Sequence, residues 1–86
     1  MKLFLISQEQ NSGYNTYDSA VVAAPDEDTA SKINPGSSMH GQPALMDWSA
    51  FIDDWCDRED QVVVKYLGKA APGITLGCIC ASFNAG

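Results

Sequence analysis

Residues 2–7 read Lys-Leu-Phe-Leu-Ile-Ser, apolar at every central position rather than at alternate ones. A strand of this kind is covered on both faces or lies centrally in its sheet, so the chain has to supply other strands around it. The segment 19–24, with Val21 and Val22 among small residues, suits a second strand, antiparallel to the first across the polar connection 8–17. Residues 61–67 alternate Val62, Val64 and Tyr66 against Val63, Lys65 and Leu67, and 77–83 is a run of small and apolar residues. With 69–73 as the turn, these last two are expected to form a terminal hairpin.

Between the strand pairs the spacing changes to that of helices. Pro25 followed by Asp26, Glu27 and Asp28 complements the positive end of a helix dipole and starts a short helix carrying Ala30 and Ile33. Asn34-Pro35-Gly36 is expected to end it, because the residue before a proline avoids the helical region. No regular element is expected over 34–46, which is rich in proline, glycine and serine. Asp47 can cap a second helix in which Trp48, Phe51, Ile52 and Trp55 fall on one stripe, with Asp53, Asp54 and Asp57 facing elsewhere. The expected architecture is one α+β domain over residues 1–86. It is a mixed or antiparallel four-stranded sheet, in the order β-β-α-α-β-β, with two short helices on one face.

Composition limits the functions open to such a domain. Hydrophobic residues make up 45% of the chain and charged ones 19%, which is the balance of a folded protein. Eleven acids against five bases leave a net charge of −6, the wrong sign for gripping a phosphate backbone, so no direct nucleic-acid contact is expected. The apolar run 3–6 is too short for a secretory core or a membrane span of roughly 18 residues, and three cysteines, an odd number, fit free thiols. The expected location is cytoplasmic, without membrane contact and without disulfides.

Each chemical motif has a structural reading beside the functional one. His40, Cys56, Cys78 and Cys80 supply the ligand count of a Cys3His zinc site, but Cys-x-Cys lacks the usual knuckle spacing and buried free cysteine acts as a small hydrophobe. No metal or other cofactor is expected. Nucleophile-elbow, phosphate-loop, dinucleotide and zinc-protease patterns are all absent and there is one histidine, so no enzymatic activity is expected. Residues 47–60 hold six acids and one arginine; such a run solubilises, or it offers a negative face to a basic protein partner. Asp53, Asp54, Asp57, Glu59 and Asp60 are its candidate contacts. The loop 11–19 gathers amides, hydroxyls, a carboxylate and two aromatic rings, which suits either an ordinary hairpin connection or a nucleotide pocket built from Tyr14, Asn15, Tyr17 and Asp18.

The opening Met-Lys-Leu-Phe-Leu-Ile-Ser-Gln (1–8), the segment Tyr-Asn-Thr-Tyr-Asp-Ser-Ala-Val-Val-Ala-Ala (14–24) and the ending Ala-Ser-Phe-Asn-Ala-Gly (81–86) together resemble a type of small phage and prophage protein. The resemblance implies a setting in which small acidic proteins bind and block host machinery in the host cytoplasm; it assigns no residue a role. Taken with the composition, it gives a first expectation of a non-enzymatic inhibitor that docks its acidic surface on a host defence or nucleic-acid-handling protein. A second is a protein that sequesters a nucleotide signal near the 11–19 loop, at the interface of a homodimer. A third is a viral structural or assembly protein.

Overall fold

The computed structural model describes residues 1–84 apart from 12, 14, 40–43, 47 and 49–53. Four strands, β1 (Lys2–Ser7), β2 (Thr16–Ala24), β3 (Val63–Lys69) and β4 (Gly77–Asn84), form one antiparallel sheet in the order β3-β1-β2-β4. Two short helices, α1 (Glu27–Ala30) and α2 (Pro35–Met39), complete an α+β domain, with a 3-10 turn at Glu59–Gln61. Among the described residues no helix is long and apolar enough to cross a membrane.

β1 and β2 are the two central strands, which explains why both read as nearly continuous apolar runs. They pair in register from Lys2↔Ala24 to Ser7↔Ser19. The expected terminal hairpin is not formed: β3 pairs with β1 and β4 pairs with β2, on opposite edges of the sheet. Residues 70–76 therefore cross the end of the central pair, about three strand spacings of ~4.8 Å, a gap well within reach of seven residues. The crossing starts with Ala70 N–H donating to the Met1 carbonyl at 3.1 Å. It then turns at Pro72-Gly73, where Gly73 adopts φ +90 and Ile74 N–H closes back on the Ala71 carbonyl. Proline followed by a left-handed glycine is the sequence of a type II turn.

One sheet face carries the core. Phe4 and Ile6 of β1, Tyr17, Ala20, Val22 and Ala24 of β2, and Ala30, Ile33, Trp55 and Cys56 beyond them form one buried cluster. α1 begins where the sequence expects it, with Asp26 as N-cap accepting from Thr29 N–H at 2.7 Å. α2 was not expected. Asn34-Pro35 does not end α1, which stops at Ala30 with Ser31 as its C-cap, but opens the next helix: Asn34 Oδ1 accepts from Ser37 N–H at 3.2 Å, and proline at the first helical position surrenders an N–H that has no intrahelical partner anyway. The segments on either side of α2 are tied together, Asn34 N–H donating to the Ala44 carbonyl and Met46 N–H to the Lys32 carbonyl. The helix expected over 47–57 falls largely outside the described residues. Of its members, Trp48 lies in a turn, and Asp54 through Asp57 run as non-helical chain with Trp55 and Cys56 buried.

Candidate functional site

The structure separates the five candidate acids of the 47–60 run. Asp53 is outside the described residues. Asp54 turns inward, so that a Cβ added to Gly36 would strike its carboxylate, and its carbonyl accepts from Tyr17 N–H at 2.8 Å. Glu59 pairs with Lys32 at 3.1 Å and accepts from the Ser31 hydroxyl, while Asp60 lies 3.4 Å from Arg58. Asp57 is exposed. The same geometry brings in an acid that the linear sequence places elsewhere. Lys32 also pairs with Asp28 at 2.7 Å, so Asp28 at the start of α1 and Glu59 share one cation across 31 positions of sequence.

Among the described residues, the three cysteines of the candidate zinc set are not gathered into one group. Cys56 lies in the core, its thiol pushed up to about 11 by burial and facing the Arg58 carbonyl. Cys78 and Cys80 are on β4, where burial again raises the Cys78 thiol to about 11. His40 lies outside the described residues, and among those described no group of three or more histidine, cysteine or acidic side chains is placed to hold a metal ion.

A different constellation forms where β1 ends and β2 begins. Gln8, 4% exposed, is its brace. Its Nε2 donates to the carbonyls of Asn11 and Tyr17, both at 2.8 Å, and its Oε1 accepts from Asn11 N–H at 2.8 Å. Asn11 in turn donates through Nδ2 to the Trp55 carbonyl at 3.2 Å, so loop and inner segment are hung on one amide network. Thr16 donates to the Gly13 carbonyl, and Asn15 takes φ 60, a conformation asparagine tolerates better than most residues. The loop is thus a built structure on a short tether.

Next to this loop is an open cleft of about 420 Å³, lined by Ser7, Gln8, Glu9, Asp18, Ser19 and Asn84. Its volume lies within the range of small-molecule sites, roughly 300–1,000 Å³. Asp18 reaches it because β2 bulges there: Tyr17 faces Phe83 and Ser19 faces Ser82, leaving Asp18 as the extra residue. Bulges re-aim side chains in this way. Asp18 Oδ1 is buried and has no hydrogen-bond partner. An unmet acceptor of that kind costs about 1–3 kcal/mol or more, and because the atom is closed to water a donor reaches it only if the bulge shifts.

The other residues of the nucleotide reading divide. Tyr14 is outside the described residues and Asn15 is exposed at the turn. Tyr17 is 7% exposed and packs on Phe83 with ring centroids 4.7 Å apart; burial first, then Asp54 and Cys78, raises its hydroxyl pKa. The ring of this pair still open to solvent is Phe83, 44% exposed and next to Asn84. Ser7, Ser19, Phe83 and Asn84 were missed as site residues, since they read as strand ends and only the sheet pairing gathers them.

Together these features define a small α+β domain with a polar cleft at one end of its sheet. No family model matches the chain, and neither a curated protein nor a solved structure shows significant similarity to it.

Proposed function

We propose that the chain is a non-enzymatic binding protein that sequesters a small nucleotide in the cleft at the Asp18 end of the sheet. The observation that carries this reading is the open cleft lined by Ser7, Gln8, Glu9, Asp18, Ser19 and Asn84, whose hydroxyl, amide and carboxylate groups can hydrogen-bond the edge of a base or a sugar. Phe83 supplies an exposed aromatic face nearby, of the kind on which a base stacks. The resemblance to phage and prophage proteins supports a setting in which a host signal is withdrawn by tight binding rather than destroyed. A homodimer belongs to the same reading, because a cleft at the end of β4 gains a second wall if another copy lies against that strand.

Thermal denaturation with mono- and cyclic nucleotides tests it. A ligand bound only by the folded state stabilises by about 2.7 kcal/mol at a hundred times its Kd, which for a domain of this size raises Tm by about 10 °C or more. No shift with any nucleotide removes the reading.

A second reading, docking of an acidic surface on a basic host protein, is supported by the meeting of Asp28 and Glu59 at Lys32, with Asp57 and Asp60 exposed in the adjoining segment. It expects capture of the partner to weaken with salt and to be lost when Asp57 and Asp60 are reversed to lysine. Binding of the reversed variant at low salt would count against it.

A further inference from the structure

Resting on the nucleotide reading above, we infer that the ligand's phosphate is itself recognised, on the sheet face beside the cleft, by the Lys65 ammonium and the Ser7 and Ser19 hydroxyls. The core cluster takes Phe4, Ile6, Ala20 and Val22, so the residues that alternate with them turn to the other face. The register sets out that face in rows. Ser7 stands opposite Ser19 and Ser19 opposite Ser82; one row further along, Lys65 stands opposite Leu5, Leu5 opposite Val21 and Val21 opposite Cys80. A shallow groove of about 270 Å³ lies over these rows, lined by residues of β1, β2 and β4 alone. Ser19 lines both the groove and the cleft, so the two are continuous.

Charge is graded along this face. Glu9 and Asp18 lie at the strand ends, beyond the Ser7–Ser19 pair, and Lys65 lies on the other side of that pair, level with Leu5. Of the chain's five lysines and arginines it is the one free to act here. Lys32 and Arg58 are engaged with Asp28, Glu59 and Asp60, and Lys2 and Lys69 face each other at the far end of β1. Lys65 is exposed and has no ion-pair partner among the described residues. Diagonal neighbours on adjacent strands are about 7–8 Å apart, a gap that a long side chain closes, so Lys65 reaches Ser7 from the next strand. Its ammonium and the two hydroxyls all donate, which is what a phosphate requires of its site. A nucleotide laid with its sugar and base in the cleft, at the acidic end, has its anionic group at the basic one. Reversed, its phosphate would meet Glu9 and Asp18 with no cation beside them.

The test is calorimetric titration of the full chain with AMP, GMP, CMP and UMP, each beside its nucleoside, and with cyclic di-AMP and cyclic di-GMP. It is repeated on Lys65→Gln and on Lys69→Gln, which removes the same charge from the far end of β3. A nucleotide is expected to bind about tenfold tighter than its nucleoside, the effect of one charge-assisted contact. In Lys65→Gln nucleotide affinity should fall by that factor, with Tm preserved because the side chain is exposed. Lys69→Gln should keep nucleotide affinity within about twofold, since exposed charges at that distance are largely screened. Equal binding of nucleotide and nucleoside by the unmodified chain overturns the inference and leaves the sequestering function standing. So does an equal loss in the two lysine variants, which would report net charge alone, or no loss in either. No binding of any probe removes the sequestering function itself, and the phosphate assignment with it.

Discussion

Gln8 shows how much of the cleft rests on a single uncharged side chain. Its two amide ends are not interchangeable, since the nitrogen faces two carbonyl oxygens and the oxygen faces an N–H. Replacing the nitrogen with oxygen, in Gln8→Glu, sets a carboxylate against the Asn11 and Tyr17 carbonyls and should destabilise the fold by about 1–3 kcal/mol at neutral pH. Burial and those carbonyls raise the pKa of the introduced carboxyl above its unfolded value of about 4.3. The charge-dependent part of the penalty is therefore absent below that value, where one carboxyl O–H stands in for the two amide N–H donors, and grows as pH rises towards the folded pKa; denaturant titrations of both chains between pH 4 and 8 should diverge in that direction. A parallel divergence at all pH values would show that Gln8 does not bond as described. Asp26 works with the opposite sign: the hydrogen bond from Thr29 holds its carboxyl below the ordinary value, so its capping contribution is present at neutral pH and lost as pH falls through that lowered value. The thiols give a further residue-scale check. Iodoacetamide at pH 8 should label exposed Cys80 in the folded protein and spare Cys56, which is buried and pushed up to about 11; equal labelling of the two would contradict the placement of Trp55 and Cys56 in the core.

At the scale of elements, the four strands and the antiparallel pairing of the first two were largely legible, and the partners of the last two were not. Lys2–Ser7 is found at its expected bounds, the second strand starts three residues earlier than 19, and the last two are shifted by two residues or fewer at either end. Alternation and apolar runs identify strands because they report burial of faces, but edge and centre are set by pairing across distant sequence. There was one usable clue: β1 and β2 carry unbroken apolar runs at 3–6 and 20–24, β3 carries Lys65 and Lys69, and β4 carries glycine and serine, the distribution expected if the terminal strands flank a central pair. The turn Pro72-Gly73 pointed to a hairpin because type II geometry serves crossings equally well. The helix α2 was hidden by the double meaning of Asn-Pro, which both stops and starts helices. If Asn34 is its cap, Asn34→Ala should cost about 1 kcal/mol and Asn34→Asp much less, measured by denaturant unfolding. Equal losses would point to the Asn34 Nδ2 contact with Met46 Sδ instead. Of the cleft only Asp18 stood out by type, whereas Ser7, Ser19 and Asn84 join it only through the register.

Across the whole molecule the two sheet edges differ. On β3, Lys65 and Lys69 oppose addition of another strand, while β4 carries no charge over its eight residues and leaves Ile79 45% and Phe83 44% exposed. In a chain of net charge −6, β4 is where a second copy meets least repulsion. Light scattering on the eluting protein is expected to give twice the 9.2 kDa chain mass, and Ile79→Lys, which places a charge on that edge, to return it to one. A monomer for the unmodified chain would remove the dimer from the functional reading. The placement of β3 and β4 on opposite edges also has a kinetic consequence. The β1–β2 pair closes a loop of only eight residues and can form early, but each outer strand must arrive from 40 or more positions away along the chain. Folding should therefore be slow for so small a domain, in the millisecond-to-second range of high-contact-order sheets, and during synthesis the central pair would stand with both flanks bare until residues 63–84 become free to join it.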